Sequence, residues 1–180
     1  VPLLATQILW INLVTDSGPA LAMGVDPEVD DVMARRPRRP AERIIDRQMW
    51  GGVVTIGLVM AAATLVAIDA FLPGGLIAGT DSLEVARTAG FTTLVLAQLF
   101  NALNSRSETT TAFAGLFSNH WLWGAIGLAV VLQVAVVHLP FLQTAFGTAG
   151  LDLTQWLACV GLASSVLWFD ELRKLVLRRA

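Results

Sequence analysis

The chain has 180 residues, of which 55% are hydrophobic and only 14% are charged, with a formal net charge of −2. A soluble domain carries about 25% charged residues, so the composition excludes an ordinary soluble globular protein and indicates a membrane protein. The single cysteine, Cys159, excludes an intramolecular disulfide and a cysteine-rich metal site.

Five segments are apolar and long enough to cross a bilayer, which takes about 20 residues. These predicted spans cover about residues 2–23, 49–72, 88–105, 121–142 and 153–172. The third is the shortest and would extend into residues 104–108 to cross fully. We therefore expect an all-α membrane domain over residues 1–180 with five transmembrane helices, the first one broken at Gly18 and Pro19.

Three oxygen-bearing side chains interrupt the first predicted span: Asn12, Thr15 and Asp16. They are spaced at i, i+3 and i+4, so an α-helix would place all three on one face. An acid inside a membrane segment costs roughly 2.5–3.5 kcal/mol on insertion scales and typically marks an ion path. Gly18 and Pro19 follow and free backbone carbonyl oxygens. The segment predicts a site for a hard cation.

A structural role is the alternative for each of these polar residues. Asn12 and Thr15 would then form hydrogen bonds between packed helices. Asp16 would pair with an arginine or lie at a helix N-terminus after the Gly-Pro break.

The basic residues predict the orientation of the chain. Under the five-span assignment, eleven of the twelve lysines and arginines lie on one side of the membrane, and Arg87 is the exception. Cytoplasmic loops are enriched in these residues, so residues 24–48 form a cytoplasmic loop and the C-terminus is cytoplasmic. The arginine cluster of this loop indicates membrane anchoring and not nucleic-acid binding. Asp170 and Glu171 precede a cationic stretch, which predicts a solvated inner helix end.

Three stretches together resemble a known family. They are Gln7-Ile-Leu-Trp-Ile-Asn-Leu-Val-Thr-Asp16 with the following Ser-Gly-Pro-Ala, then Phe100-Asn-Ala-Leu-Asn-Ser-Arg-Ser-Glu108, and finally Leu151-Asp-Leu-Thr-Gln-Trp156 leading to Phe169-Asp-Glu-Leu-Arg-Lys174. Their content and order resemble the C-terminal membrane region of P-type cation-transporting ATPases, in the calcium-pump branch. The five spans would then correspond to helices six to ten of a ten-helix pump.

The resemblance implies roles for individual residues. Asn12, Thr15 and Asp16 would be cation ligands on helix six, and Glu108 would add a carboxylate from helix eight. Arg106 departs from the pattern of related pumps and offers Glu108 an exposed ion pair as an alternative. The loop after Gly24 would help to couple phosphorylation to transport, and its candidate residues are Glu28, Asp30, Asp31 and Arg35. The ligand types fit Ca²⁺, which takes six to eight oxygen ligands, whereas Mn²⁺ and Na⁺ also accept oxygen cages.

The sequence predicts a pump that is incomplete without further parts. It contains neither the Asp-Lys-Thr-Gly-Thr sequence of a phosphorylated aspartate nor a phosphate-binding loop. ATP and Mg²⁺ would therefore act only in the full-length protein, and the partners would be the lipid bilayer, the missing N-terminal helices and the cytoplasmic domains. The compact loops suit the plasma membrane of a bacterium. Two other classes stay open, a stand-alone ion or proton transporter or channel and a non-transporting structural subunit.

Overall fold

The computed structural model describes residues 2–25, 47–75, 82–105 and 119–179. Over these ranges the regular structure is helical, which confirms the all-α prediction. The elements are α1 (Ala5–Trp10), a π-helical segment (Ile11–Asp16), α2 (Ser17–Met23), α3 (Arg47–Phe71), α4 (Leu83–Asn104), α5 (His120–His138), α6 (Pro140–Phe146) and α7 (Leu153–Arg179).

Two of the described helical stretches are long and apolar enough to cross a membrane on their own. They cover Met49–Phe71 and His120–His138. The first predicted span is divided among α1, the π-helical segment and α2, each of six or seven residues. Five transmembrane helices therefore stay a prediction.

Helix α4 is the central element, since most of its residues are buried between α3 and α7. It begins at Leu83, five residues before the predicted span, because the Ser82 hydroxyl accepts a hydrogen bond from the Val85 amide at 3.2 Å and caps the helix. Gly90 lets α3 approach closely, since a Cβ atom at this position would overlap the Ile68 side chain. Small residues thus bring the backbones of α3 and α4 together.

The fourth predicted span ends earlier than expected, and its last part is a separate helix. Helix α5 stops at His138, and Leu139 is extended, with φ −83° and ψ 123°. Pro140 then begins α6 at the position where a missing N–H costs nothing. The residue before a proline is pushed out of the α region, which explains why residues 121–142 do not form one helix.

Helix α7 is longer than the predicted fifth span and runs to Arg179. Its start is closed by a reciprocal pair of hydrogen bonds. The backbone N–H of Gln155 donates to Asp152 Oδ1, and the backbone N–H of Asp152 donates to Gln155 Oε1, both at 2.8 Å.

Candidate cation site

The first predicted span stays helical where a break was expected. Gly18 and Pro19 lie inside α2, and the irregularity is the π-helical segment directly before them. Pro19 has no N–H for the Thr15 carbonyl, and in an α-helix its ring would clash with that oxygen. A wider turn ahead of the proline lets the chain pass through this position and remain helical. The correction is that the ladder is widened over Ile11–Asp16 and not broken at Gly18-Pro19.

The π-helical segment coincides with the three predicted ligands. Its sequence is Ile-Asn-Leu-Val-Thr-Asp, with αR backbone at both flanking residues, Trp10 and Ser17. The Ser17 hydroxyl donates to the Asn12 carbonyl oxygen at 3.5 Å, a separation of five residues that follows the π-helical spacing. Single-turn π-helical segments are rare and occur frequently at functional sites.

Asn12 and Thr15 have different surroundings, although the α-helical spacing predicts a shared face. Asn12 is exposed on the surface of the chain, whereas Thr15 is 3% exposed. A π-helical turn holds more residues than an α-helical one, so side chains three apart diverge further. Asp16 belongs to this segment by its backbone, and its side chain lies outside the described part of the structure.

The Thr15 hydroxyl has a defined orientation. It donates a hydrogen bond to the carbonyl oxygen of Ile11, one turn earlier. A hydroxyl has one proton and two acceptor lone pairs, so this bond leaves the Thr15 oxygen as an acceptor only. That is the state in which a hydroxyl oxygen binds a cation.

Helix α1 is fixed to the corner between α6 and the following loop. The fully buried Gln7 donates from Nε2 to the Phe146 carbonyl oxygen at 3.1 Å, and its Oε1 accepts from the Leu4 amide at 3.0 Å. The Trp10 ring meets the Phe146 ring edge-on, with centroids 5.0 Å apart. Gln7 had no predicted role, although a glutamine in an apolar run, five residues before Asn12, was a visible clue.

A second polar cluster joins the ends of α4 and α7. Lys174 Nζ lies 3.1 Å from Asp170 Oδ2 and donates to the Asn104 carbonyl oxygen at 2.9 Å. Arg173 Nε donates to Asp170 Oδ1 at 3.0 Å. Asp170 and Lys174 are each 1% exposed, so the predicted solvated end at Asp170 is wrong. The i, i+4 spacing of acid and lysine was visible in the sequence, but their burial depends on packing against α4.

A cavity of about 430 Å³ lies between α3, α4 and α7, next to this cluster. Its polar lining residues are Gln98, Asn101, Asn104, Ser105, Asp170 and Arg173. The Asn104 Oδ1 atom is buried and has no hydrogen-bond partner among the described residues. Asn12 and Thr15 do not line this cavity. The predicted ligands and the cavity are therefore separate sites in the described part of the chain.

Several predicted site residues lie outside the described residues. These are Glu108 and the candidate coupling residues Glu28, Asp30, Asp31 and Arg35. In the part of the chain that is described, no three His, Cys, Asp or Glu side chains group together around a potential metal position.

Comparison with known proteins identifies relatives of the whole chain. Residues 1–176 match the family described as cation transporting ATPase, C-terminus. A calcium-transporting ATPase of Bacillus subtilis is 37% identical over 163 residues, which are 91% of this chain and 18% of that protein. The calcium-transporting ATPase type 2C member 2 of Mus musculus is 37% identical over 176 residues, covering 97% of this chain and 18% of that protein. Calcium-transporting ATPase 1 of Schizosaccharomyces pombe is 36% identical over 179 residues, 99% of this chain and 19% of that protein. The chain thus spans less than a fifth of the length of these relatives.

Proposed function

Since the chain belongs to the family of cation-transporting ATPase C-termini, we propose that it is the C-terminal membrane part of an ATP-driven Ca²⁺ pump. Calcium transport comes from the names of the relatives, and the chain covers only 18–19% of their length. ATP hydrolysis and Mg²⁺ binding belong to the remainder of the full-length protein. This assignment is favoured over a stand-alone transporter and over a structural subunit, because neither of those predicts the family match.

One observation supports the location of the proposed transport site. The π-helical segment Ile11–Asp16 contains the amide, the hydroxyl and the carboxylate that the sequence selects as ligands. Hard cations such as Ca²⁺ take oxygen ligands from these groups and from backbone carbonyls. A π-helical turn shifts the carbonyl partners out of the α-helical ladder at the same place. We assign Asn12, Thr15 and Asp16 as ligands, with Glu108 as a further carboxylate.

The exposure of Asn12 supports a site that is completed by other parts of the pump. Leu9 and Leu13, on either side of it along the chain, are 69% and 63% exposed. A polar amide between exposed leucines fits a helix face that is covered in the assembled pump and not by solvent. The missing N-terminal helices would supply the remaining ligands.

The proposal includes the placement of the chain in the membrane. The five spans at about residues 2–23, 49–72, 88–105, 121–142 and 153–172 would be helices six to ten, with loop 24–48 and the C-terminus in the cytoplasm. In this arrangement Glu28, Asp30, Asp31 and Arg35 face the phosphorylation domain and couple it to the ion site. A bacterial plasma membrane is the proposed location.

ATP-driven uptake of ⁴⁵Ca²⁺ into vesicles tests the function directly. Vesicles that contain the full-length protein are expected to accumulate ⁴⁵Ca²⁺ when ATP is added, and the Asp16→Asn protein is not. Mn²⁺ and Na⁺ serve as competing ions, because both accept oxygen ligands. No ATP-dependent uptake by the wild-type protein would reject the pump assignment, and unchanged uptake by the variant would remove Asp16 from the path.

A further inference from the structure

A chain of two hydrogen bonds starts at the residue before the π-helical segment. Trp10 Nε1 donates to Gln133 Oε1 on α5 at 3.2 Å. Gln133 Nε2 donates to the Thr92 hydroxyl on α4, also at 3.2 Å. Gln133 and Thr92 are both 0% exposed. The chain therefore joins the partly buried Trp10 on α1 to two fully buried groups on two other helices.

The chemistry of the groups fixes the direction of this chain. An indole N–H is a donor only, so the atom of Gln133 that faces Trp10 must be the carbonyl oxygen. The amide nitrogen of Gln133 then faces Thr92 and requires an acceptor, which the hydroxyl oxygen supplies. Loss of the Trp10 indole therefore leaves Gln133 Oε1 without a donor, and loss of the Thr92 hydroxyl leaves Gln133 Nε2 without an acceptor.

The anchor at Trp10 determines the rotation of the ligand-bearing helix. Residues two apart are separated by about 200° around an α-helix and by a smaller angle in the wider π-helical turn that begins at Ile11. In either geometry Asn12 lies on roughly the opposite side from the Trp10 ring, which Gln133 and Phe146 hold inward. This agrees with the exposure of Asn12.

We propose that Gln133 and Thr92 are positioning residues for the cation site, acting through Trp10 to hold Asn12 in its outward orientation. This inference depends on the proposed function, because it assigns Asn12 to Ca²⁺ binding. Gln133 and Thr92 do not touch the ion. They limit the rotation of the helix that bears Asn12, and so they reduce the freedom that this helix loses when the ligands close around the ion.

Thr92 gives the sharpest test because its two conservative replacements separate hydrogen bonding from packing. Thr92→Val keeps the shape and removes the hydroxyl, whereas Thr92→Ser keeps the hydroxyl and removes a methyl group. We expect Thr92→Val to raise the Ca²⁺ concentration for half-maximal ATP-driven ⁴⁵Ca²⁺ uptake by about three- to tenfold, with the maximal rate per folded pump unchanged. Thr92→Ser is expected to match the wild type.

Variants at the other end of the chain test whether the groups act as one unit. Gln133→Leu and Trp10→Phe are each expected to produce a shift at least as large as that of Thr92→Val. The double variant Gln133→Leu with Trp10→Phe should shift the Ca²⁺ dependence no further than the larger single change, because both replacements remove the hydrogen bond between Trp10 and Gln133. Cys159→Ala is the matched control. It removes a buried contact between α7 and α4, from the Cys159 thiol to the Ala89 carbonyl oxygen at 3.5 Å, and the ion dependence should not move.

Two results would overturn the positioning role. One is Thr92→Ser shifting the Ca²⁺ dependence as much as or more than Thr92→Val, which indicates packing alone. The other is a lower maximal rate in Thr92→Val and Gln133→Leu with no change in the Ca²⁺ dependence. Failure of the proposed function is distinguishable from both, because it appears as absent ATP-driven uptake in the wild-type full-length protein.

Discussion

Thr15 shows at the scale of one residue how a hydroxyl becomes suitable for a cation. Its proton is committed to the Ile11 carbonyl oxygen, and its side chain is buried. The remaining lone pairs are directed away from that bond and have no proton between them and an approaching ion. Asn12, by contrast, is exposed on the described chain, and its burial by further parts of a pump is part of the proposed function.

This geometry predicts different outcomes for two replacements of Thr15. Thr15→Ser retains the oxygen, so Ca²⁺ uptake should keep a half-maximal concentration near that of the wild type. Thr15→Val retains the shape but loses one oxygen ligand, so the half-maximal concentration should rise about tenfold or more, a change of at least about 1.4 kcal/mol. The Ca²⁺ dependence of ⁴⁵Ca²⁺ uptake measures both. A Thr15→Val pump with wild-type Ca²⁺ dependence would show that Thr15 has only a structural role.

At the scale of elements, α4 is held on one side by close backbone approach and on the other by polar contacts to α7. Gly90 marks a close approach to α3, where an added Cβ would overlap the Ile68 side chain. Replacement of a helical glycine by alanine normally favours the helix by roughly 1 kcal/mol. Here overlap with a packed side chain opposes that gain.

We expect Gly90→Ala to lower the temperature at which half of the detergent-solubilised pump aggregates. Gly161→Ala on α7 is the matched control, because no neighbouring atom lies within 4 Å of its added Cβ. That variant should be neutral or stabilising. Combining Gly90→Ala with Ile68→Ala should recover part of the loss, since the smaller side chain makes room. Equal effects of Gly90→Ala and Gly161→Ala would contradict the close approach.

Lys174 pairs with Asp170 on α7 and donates to the Asn104 carbonyl oxygen, which connects α7 to the end of α4. Removing one partner of a buried pair leaves an uncompensated charge and typically costs roughly 3–5 kcal/mol. Asp170→Leu leaves the buried Lys174 without a carboxylate and is therefore expected to lower the aggregation temperature strongly. The double variant Asp170→Leu with Lys174→Met should be more stable than Asp170→Leu alone, because the buried lysine charge is removed as well. An Asp170→Leu pump as stable as the wild type would show that the lysine is solvated in the assembled protein.

The fold was predictable wherever one local rule decided the structure. The apolar stretch of residues 49–72 matches α3 closely, and the start of α7 at Leu153 was predicted correctly. The end of α5 at His138 was missed, although Pro140 was in plain view, because hydropathy alone does not detect a break between apolar residues. A break was predicted at Gly18-Pro19, whereas the irregularity lies earlier and is a widened turn at Ile11–Asp16. Proline shows that the ladder must change on its N-terminal side, but the sequence does not say whether the ladder breaks or widens there.

The candidate site was predictable in its residue types and not in its geometry. Asn12 and Thr15 were selected from the cost of polar groups in a membrane, which depends only on composition. That Asn12 is exposed and Thr15 is buried depends on the π-helical turn, which the residue spacing did not predict. The contacts of Trp10 and Lys174 involve partners 123 and 70 residues away, and no spacing rule relates such distant positions.

At the level of the whole molecule, the proposed arrangement has five spans and places the C-terminus in the cytoplasm. Cysteines introduced singly at Ser82 and Gly150 should react with an impermeant maleimide from outside the cell. Cysteines at Ser105 and His120 should react only from the inside. These four positions are exposed, and the native Cys159 is buried, so the background is low. Labelling of Gly150→Cys and His120→Cys from the same side would contradict the five-span arrangement.

Equilibrium binding of ⁴⁵Ca²⁺ to the purified full-length pump without ATP is the sharpest test of a cation site at Ile11–Asp16, because it isolates ion binding from the transport cycle. Asp16→Asn keeps the size of the side chain and removes its charge. We predict that the wild-type protein binds ⁴⁵Ca²⁺ with saturation and that the Asp16→Asn protein loses this binding in the same concentration range. Equal ⁴⁵Ca²⁺ binding by the two proteins would contradict a cation site at the π-helical segment.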